Sequence, residues 1–398
     1  MEPWIPQPTL LAPYATQPDG SRGRLHAEPG NANRTPHQRD RDRIIHSAAF
    51  RRLKYKTQVF VNSVGENYRT RLTHSLEVSQ IARAVSRMLG LNEDLAEALA
   101  LAHDLGHTCF GHAGEDALKD CMKLYDGFDH NAQSLRVVTT LERRYATFDG
   151  LNLTWETLEG LVKHNGPILG PGKPSLEDLP AAIRAYAEVH DLELHSHAGP
   201  EAQVAALADD IAYNAHDIDD GLRAGLLSLD DLVDVPLVGP LLKEVLDAYP
   251  GLETSRVLHE TQRRVITAMV DDLRAETTRR LCSLAPGSAA EIRAMGQPVV
   301  AFSAEMADND RGLKAFLFPN VYRHYRVNRM TSKARRVVRE MFTLLVDEPR
   351  LLPTDWRTRA TKPRAPTTAR VVCDYIAGMT DRFAVDEHAR LFDPLVKP

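Results

Sequence analysis

The stretch Ala102-His103-Asp104-Leu105-Gly106-His107-Thr108-Cys109-Phe110-Gly111-His112-Ala113-Gly114-Glu115 crowds two imidazoles beyond a His-Asp pair, a second carboxylate and several glycines into one short segment. Adjacent residues on a helix point about 100° apart, because the helix turns once in about 3.6 residues. A His-Asp pair splayed in that way at a helix end can grip one ion from two sides. Imidazole mixed with carboxylate favours a divalent transition metal over calcium, and open coordination positions accept water and phosphate oxygens. A His-Asp dipeptide alone would carry little weight; His107, His112 and Glu115 close behind it give this stretch its meaning.

Three amphipathic helices surround it. The first is predicted from about Thr70 to Leu89, with Leu72, Leu76, Ile81, Val85 and Leu89 spaced for one buried face. The second starts after Asn92, a good N-cap, with Glu93 and Asp94 favourable in its first turn. Leu95, Leu99 and Ala102 line its inner face, and Gly106 marks its end. The third starts near Pro200 and carries Val204, Leu207, Ile211, Ala215, Ile218 and Leu222 at helical spacing. Asp209, Tyr213 and Asp217 recur every fourth residue on this helix and form a polar stripe opposite its apolar face. Asp219 and Asp220 read as solvated acids, whereas Asp209 follows the apolar run Ala205–Ala208. His74 lies on the first helix one turn after Arg71, whose guanidinium is suited to phosphate.

The rest of the chain sets limits. It has 398 residues, 43% hydrophobic and 26% charged, with a net charge of −5. That length supports a large core, and the charge gives no global basic excess that would demand nucleic acid. The four cysteines form no CxxC pair, so they read as reduced thiols in a cytoplasmic setting. Met1–Gly20 lacks a charged segment followed by a long apolar run, so it does not read as a signal peptide, and no apolar run is long enough for a membrane span. Aromatic residues are sparse and hairpin signals are missing, so the fold class is all-α. Residues 1–38 read as an extended arm, 39–230 as a helical core and 231–398 as further helices packed on it. Breaks are expected at Gly170–Pro174, at Pro236–Pro240 and at Ala285–Ser288. Val189–Gly199, with His190, His195 and His197, reads as a solvated surface loop.

With these motifs assembled, the sequence resembles the HD-domain deoxynucleoside triphosphate triphosphohydrolases, the dGTPase-like proteins. The matching segments are Arg39–Ser47, Phe50–Val59, Arg71–Val78, the His-Asp stretch, Phe128–Ser134 and Ala208–Tyr213 with Asp217, in order over roughly residues 39–227. A weaker match falls at Val321–His324. The resemblance implies an HD helical bundle with additional C-terminal helices. It implies one divalent metal ion per subunit (Mn, Mg, Fe, Co, Ni or Zn) held by His74, His103, Asp104 and Asp209. It makes His112 and Glu115 the catalytic pair, with His107 and His130 beside them. Arg71 would contact phosphate, and Gln58, Tyr213 and Asp217 would read the sugar. Lys163 and His164 would be further phosphate or supporting residues. The chain departs from the family at Thr108-Cys109, where prolines or an Asn/Gly-Pro pair are common, so base preference stays open.

The implied reaction is hydrolysis of a deoxynucleoside triphosphate to deoxynucleoside and inorganic triphosphate. The implied assembly is a homo-oligomer with a nucleotide effector at a subunit interface. Two alternatives stand beside it. One is another HD phosphohydrolase, a nucleotidase or nucleotide phosphodiesterase, using the same metal site. The other is a protein that binds single-stranded nucleic acid through the basic stretches Arg34–Arg52 and Arg323–Arg339, with a vestigial HD site.

Overall fold

The structure, a computed structural model, describes residues 10–58 and 69–397. The first nine residues of the arm and Val59, the end of the segment starting at Phe50, lie outside the described residues. The main helices are α1 (Pro36–Ile45), α2 (Arg71–Met88), α3 (Glu93–Ala102), α4 (Gly111–Met122), α5 (His130–Arg136), α6 (Trp155–Val162) and α7 (Pro200–Arg223). They continue with α8 (Val238–Ala248), α9 (Thr254–Leu284), α10 (Ala304–Leu317), α11 (Tyr325–Asp347), α12 (Pro366–Ala377) and α13 (Asp381–Phe392). Among the described residues, β-structure is limited to isolated bridges such as Arg24 with Thr154. The chain is all-α, and no described helix is long and apolar enough to cross a membrane.

The three expected helices form at the expected places because their ends are chemically specified. Thr70 and Thr73 close a reciprocal capping box on α2, and the Asn92 side chain accepts the Leu95 N–H at the start of α3. Pro200 opens α7, where its missing N–H costs nothing. α2 packs on α3 and α7, α3 also packs on α1 and α7, and α9 packs across α2 and α7. Val85, Ile211, Val265, Met269 and Leu273 are buried in this layer. Full burial of each such side chain stabilises by roughly 1.5–3 kcal/mol.

The buried face of α2 is not the predicted apolar one. Leu76 is exposed and Leu72 only partly covered, while Arg71, His74 and Ser75 are buried. The N-terminal half of this helix turns its polar side inward to build a site, and the apolar stripe holds only from Val78 onward. Asp219 and Asp220 are buried rather than solvated; the Asp219 carboxylate is paired with Arg223 at 2.8 Å. Leu192 and Leu194, inside the expected surface loop, belong to the core around Trp155. The predicted break after α9 falls at Ala285, which adopts a left-handed conformation.

The described part of the arm lies along the chain's own helices. Thr16 donates through its N–H and hydroxyl to Glu201, at 2.9 and 2.7 Å, and Arg24 pairs with buried Asp40. The C-terminal helices meet the His-Asp stretch from the other side. α11 packs against α4 and α12, and Phe110, Leu118 and Met122 share a core with Val338, Met341 and Ile376. Arg335 and Arg339 of α11 pair with Asp116 and Asp120 of α4, each at 2.5 Å. Of the other basic stretch, Arg41 pairs with Asp94 at 3.0 Å and Arg43 with Glu28 at 2.8 Å.

Candidate active site

α3 ends at Ala102, and His103–Gly106 forms a turn instead of the last helical turn expected from the sequence. Gly106 is needed for close packing, not as a cap: a Cβ there would stand 2.2 Å from the His130 carbonyl oxygen. The tight approach of α5 brings His130 beside the His-Asp loop. Phe110 then adopts a left-handed conformation at φ 61° to start α4, a backbone cost of roughly 1–2 kcal/mol for a side chain of this kind. Its N–H is held by the Asp381 carboxylate at 2.8 Å. Asp381 also accepts the Thr57 N–H at 3.0 Å. The buried Lys56 ammonium donates to the His107 carbonyl and, at 2.9 Å, to that of Ala377. Burial pushes the Lys56 pKa down to about 7.

Two clusters hang on this loop. In the first, ligand atoms of His74 (α2), His103 and Asp209 (α7) lie within 4.8 Å of one another. His74 Nε2 is 2.8 Å from Asp209 Oδ1, and His103 Nε2 is 3.5 Å from the same oxygen. Asp104 stands at the edge of this set, its Oδ1 3.4 Å from His103 Nε2, while its Oδ2 accepts from Arg71 at 2.9 Å. His164 approaches the other Asp209 oxygen at 3.3 Å. Burial opposes charge on His103, but Asp104 and Asp209 outweigh it and raise its pKa to about 9. Burial likewise opposes the Asp104 carboxylate, and Arg71 and His103 hold it down at about 2.

These residues fit a metal ion. His103 Nδ1 lies 2.7 Å from the Ala100 carbonyl and therefore carries its proton there. Its Nε2 is buried with no hydrogen-bond partner among the described residues. Once an ion displaces the proton from Nε2, an imidazole fixed in this tautomer presents a lone pair, as metal-bound histidines do, toward a space flanked by two carboxylates.

In the second cluster one carboxylate serves several nitrogen donors. Glu115 accepts from His112 Nδ1 at 3.1 Å, from His130 Nδ1 at 2.9 Å and from Lys119 at 2.9 Å. Burial works against its charge, but the hydrogen bonds from His112 and His130 prevail and hold its pKa below the usual carboxylate range. His112 is the exposed member, at 63% of its side chain. His107 joins the clusters: its Nε2 is 3.3 Å from Asp104 and its ring stacks on His130 at 4.2 Å. Burial, with Arg71 next in weight, keeps His107 neutral by pushing its pKa well down.

A cavity of about 680 Å³ opens beside His112, with Gln58, Phe110, Tyr213, Tyr322 and Arg323 among its walls. Tyr213 is tilted against Tyr322 at 6.4 Å between ring centroids. The Tyr322 hydroxyl donates to buried Asp217, whose pKa burial raises well above the ordinary value. Gln58 Oε1 and Asp217 Oδ1 are buried without partners among the described residues. Lys163 is not brought to the cavity; it is enclosed by Glu159 at 3.0 Å and Ser196 at 2.8 Å. Phe318, Tyr322, Arg323 and Arg335 were not foreseen as cavity walls. The Val321–His324 match and the basic stretch Arg323–Arg339 were the sequence signals that touched Tyr322, Arg323 and Arg335; neither reached Phe318.

A bundle that closes a His/Asp cluster at the end of α3 between α2 and α7 is the arrangement of an HD-domain phosphohydrolase. The HD domain profile matches residues 71–214, and the phosphohydrolase-associated domain matches residues 300–390. The chain is 65% identical to the deoxyguanosinetriphosphate triphosphohydrolase-like protein of Parvibaculum lavamentivorans over 98% of each chain. It is 59% identical to the protein of that name from Azorhizobium caulinodans over 96% of each. It is 56% identical to that of Caulobacter vibrioides, again over 96% of each. The chain therefore belongs to the deoxyguanosinetriphosphate triphosphohydrolase-like family of HD phosphohydrolases.

Proposed function

We propose that the protein hydrolyses deoxynucleoside triphosphates to deoxynucleoside and inorganic triphosphate. The observation that carries this reading is the single cavity that joins His112 to Gln58 and Tyr213. It has the size of a small-molecule site, and its walls include one member of the proposed catalytic pair and two of the proposed sugar-reading residues. Unpartnered Gln58 Oε1 and Asp217 Oδ1 are acceptors suited to a 3′-hydroxyl. The tilted Tyr213 and Tyr322 rings leave a flat wall where a ribose 2′-hydroxyl would crowd.

In this reading water attacks the α-phosphorus, the bond from phosphorus to the 5′-oxygen breaks, and that oxygen leaves with a proton. Glu115 holds His112 through Nδ1, so Nε2 is free to deliver the proton to the 5′-oxygen. His130, bound to the other Glu115 oxygen, keeps that carboxylate in place. Arg71 binds phosphate with donors not used by Asp104, and Gly111 leaves it room: a Cβ there would stand 3.4 Å from an Arg71 guanidinium nitrogen. A divalent ion held by His74, His103, Asp104 and Asp209 supplies charge stabilisation to the phosphoryl oxygens when bound.

The test is incubation of the Mn²⁺-supplied protein with each deoxynucleoside triphosphate, singly and in pairs, with ribonucleotide controls, followed by chromatography. Deoxynucleoside with intact triphosphate is the expected product. Monophosphate with pyrophosphate, or no product from metal-loaded protein, would overturn the reading. Turnover confined to paired nucleotides would place an effector site on the protein.

A further inference from the structure

His74 is gripped at both ring nitrogens by α7. Asp209 Oδ1 lies 2.8 Å from its Nε2, and His216 Nδ1 lies 3.1 Å from its Nδ1. Asp209 and His216 are seven residues apart, about two helical turns, so they share one face of α7. The far nitrogen of His216, Nε2, is hydrogen-bonded to Glu77 of α2. Glu77 is three residues from His74 and lies on the same helix face. His216 thus fills the gap between two side chains of α2. Arg69 reaches Glu77 at 3.3 Å and Asp219 at 3.6 Å, steadying the outer end.

Once a metal ion takes the place of a proton on His74 Nε2, this chain of contacts selects one set of tautomers. A carboxylate only accepts, so His216 Nε2 carries a proton toward Glu77. His216 Nδ1 then has a lone pair and accepts from His74 Nδ1–H. His74 Nε2 is left with its lone pair directed at the ion site. The reverse assignment would set a His216 lone pair against the Glu77 carboxylate. Both histidines are buried, so water does not offer an easy substitute.

We propose that Glu77 and His216 are positioning residues for the metal centre, a carboxylate–histidine relay that fixes the tautomer and ring angle of His74. The inference rests on the reading of His74, His103, Asp104 and Asp209 as metal ligands. Partners of this kind typically change metal affinity by about 10–100-fold when removed. The relay lies outside the cavity wall and touches no substrate.

The experiment is titration of the purified full-length chain with Mn²⁺, following free ion by electron paramagnetic resonance, for the parent and four variants. His216→Phe keeps the ring volume but offers no acceptor, and is expected to bind Mn²⁺ about 10–100-fold more weakly. His216→Asn restores an acceptor near Nδ1 and is expected to recover most of that loss. Glu77→Ala, at a half-exposed position, is expected to weaken binding in the same direction, and Glu77→Gln to restore it. Either His216→Phe or Glu77→Ala binding as tightly as the parent, while folded by circular dichroism, overturns the relay. Equal loss in His216→Asn and His216→Phe would reduce the contact to packing and overturn it too. If His216→Phe does not fold, Glu77→Ala decides. A parent that takes up no Mn²⁺ would remove the metal centre itself and this inference with it.

Discussion

Two histidine–carboxylate clusters hang on one loop, and they differ in how protons and charge are shared. Around His74, His103 and Asp209, a buried nitrogen of His103 faces oxygens of Asp104 and Asp209 and makes no hydrogen bond among the described residues. Around Glu115, one carboxylate is satisfied by His112, His130 and Lys119. The first gathers two carboxylates around one imidazole nitrogen; in the second, Glu115 is supplied with donors and leaves the exposed His112 ring facing the cavity. In the function proposed above, the same residue types serve metal binding in one cluster and proton delivery in the other.

The largest effect should come from breaking the first cluster. Asp209→Ala should lose the ion, and with it several kcal/mol of charge stabilisation. That corresponds to roughly 10⁴-fold or more in rate at about 1.4 kcal/mol per decade. Metal analysis beside turnover would check it, and full metal occupancy would break the assignment. His112→Ala should instead keep the ion and lose about 10²–10⁴-fold in turnover, the usual contribution of a positioned acid or base. If both variants lost metal equally, the two clusters would not be functionally separate.

The pH response should also distinguish them. His103 has its pKa raised to about 9 in the metal-free fold, and an ion must displace that proton. Mn²⁺ affinity should therefore climb with pH, by about tenfold per unit for one displaced proton, and level off near the His103 pKa. A flat profile in a titration series would show that His103 is not a ligand. The sign for stability is opposite. A group whose folded pKa is raised stabilises the metal-free protein below its unfolded value near 6.5, and this contribution fades as pH rises through about 9. The smallest expected effect lies on the cavity wall. Tyr322→Phe removes a partner of buried Asp217 and should cost about 1–3 kcal/mol in stability, read from a denaturant melt.

The sequence carried the helices well, and it named His74, His103 and Asp209, which the fold brings together, because caps and spacing are local. Thr70, Asn92 and Pro200 start helices by chemistry confined to a few residues, and Asp209 stood out by following an apolar run. It misled where tertiary contacts overrule local pattern. Leu76 fits an apolar stripe, yet the helix rotates His74 and Arg71 inward instead. Asp219 and Asp220 look like solvated acids until Arg69 and Arg223 are placed beside them. Tyr322 reaches Asp217 across 105 positions, a pairing no period can reveal. His216 and Glu77 were within reach of a spacing argument, two turns from Asp209 and one turn from His74, but only the contact of Glu77 with His216, and of His216 with His74, gives them meaning.

The clasp formed by Lys56 and Asp381 bears on how the protein can be divided. Residues at opposite ends of the chain hold the His107–Phe110 backbone, and Phe110 keeps its left-handed turn under the grip of Asp381. The segment matched to the HD domain, residues 71–214, contains every metal-ligand candidate but neither half of that clasp. It is not a portable cassette. Excised or grafted elsewhere, it would carry the reactive side chains without the frame that sets their spacing, so insertions and deletions that leave the motif untouched can still disarm it from either end of the chain.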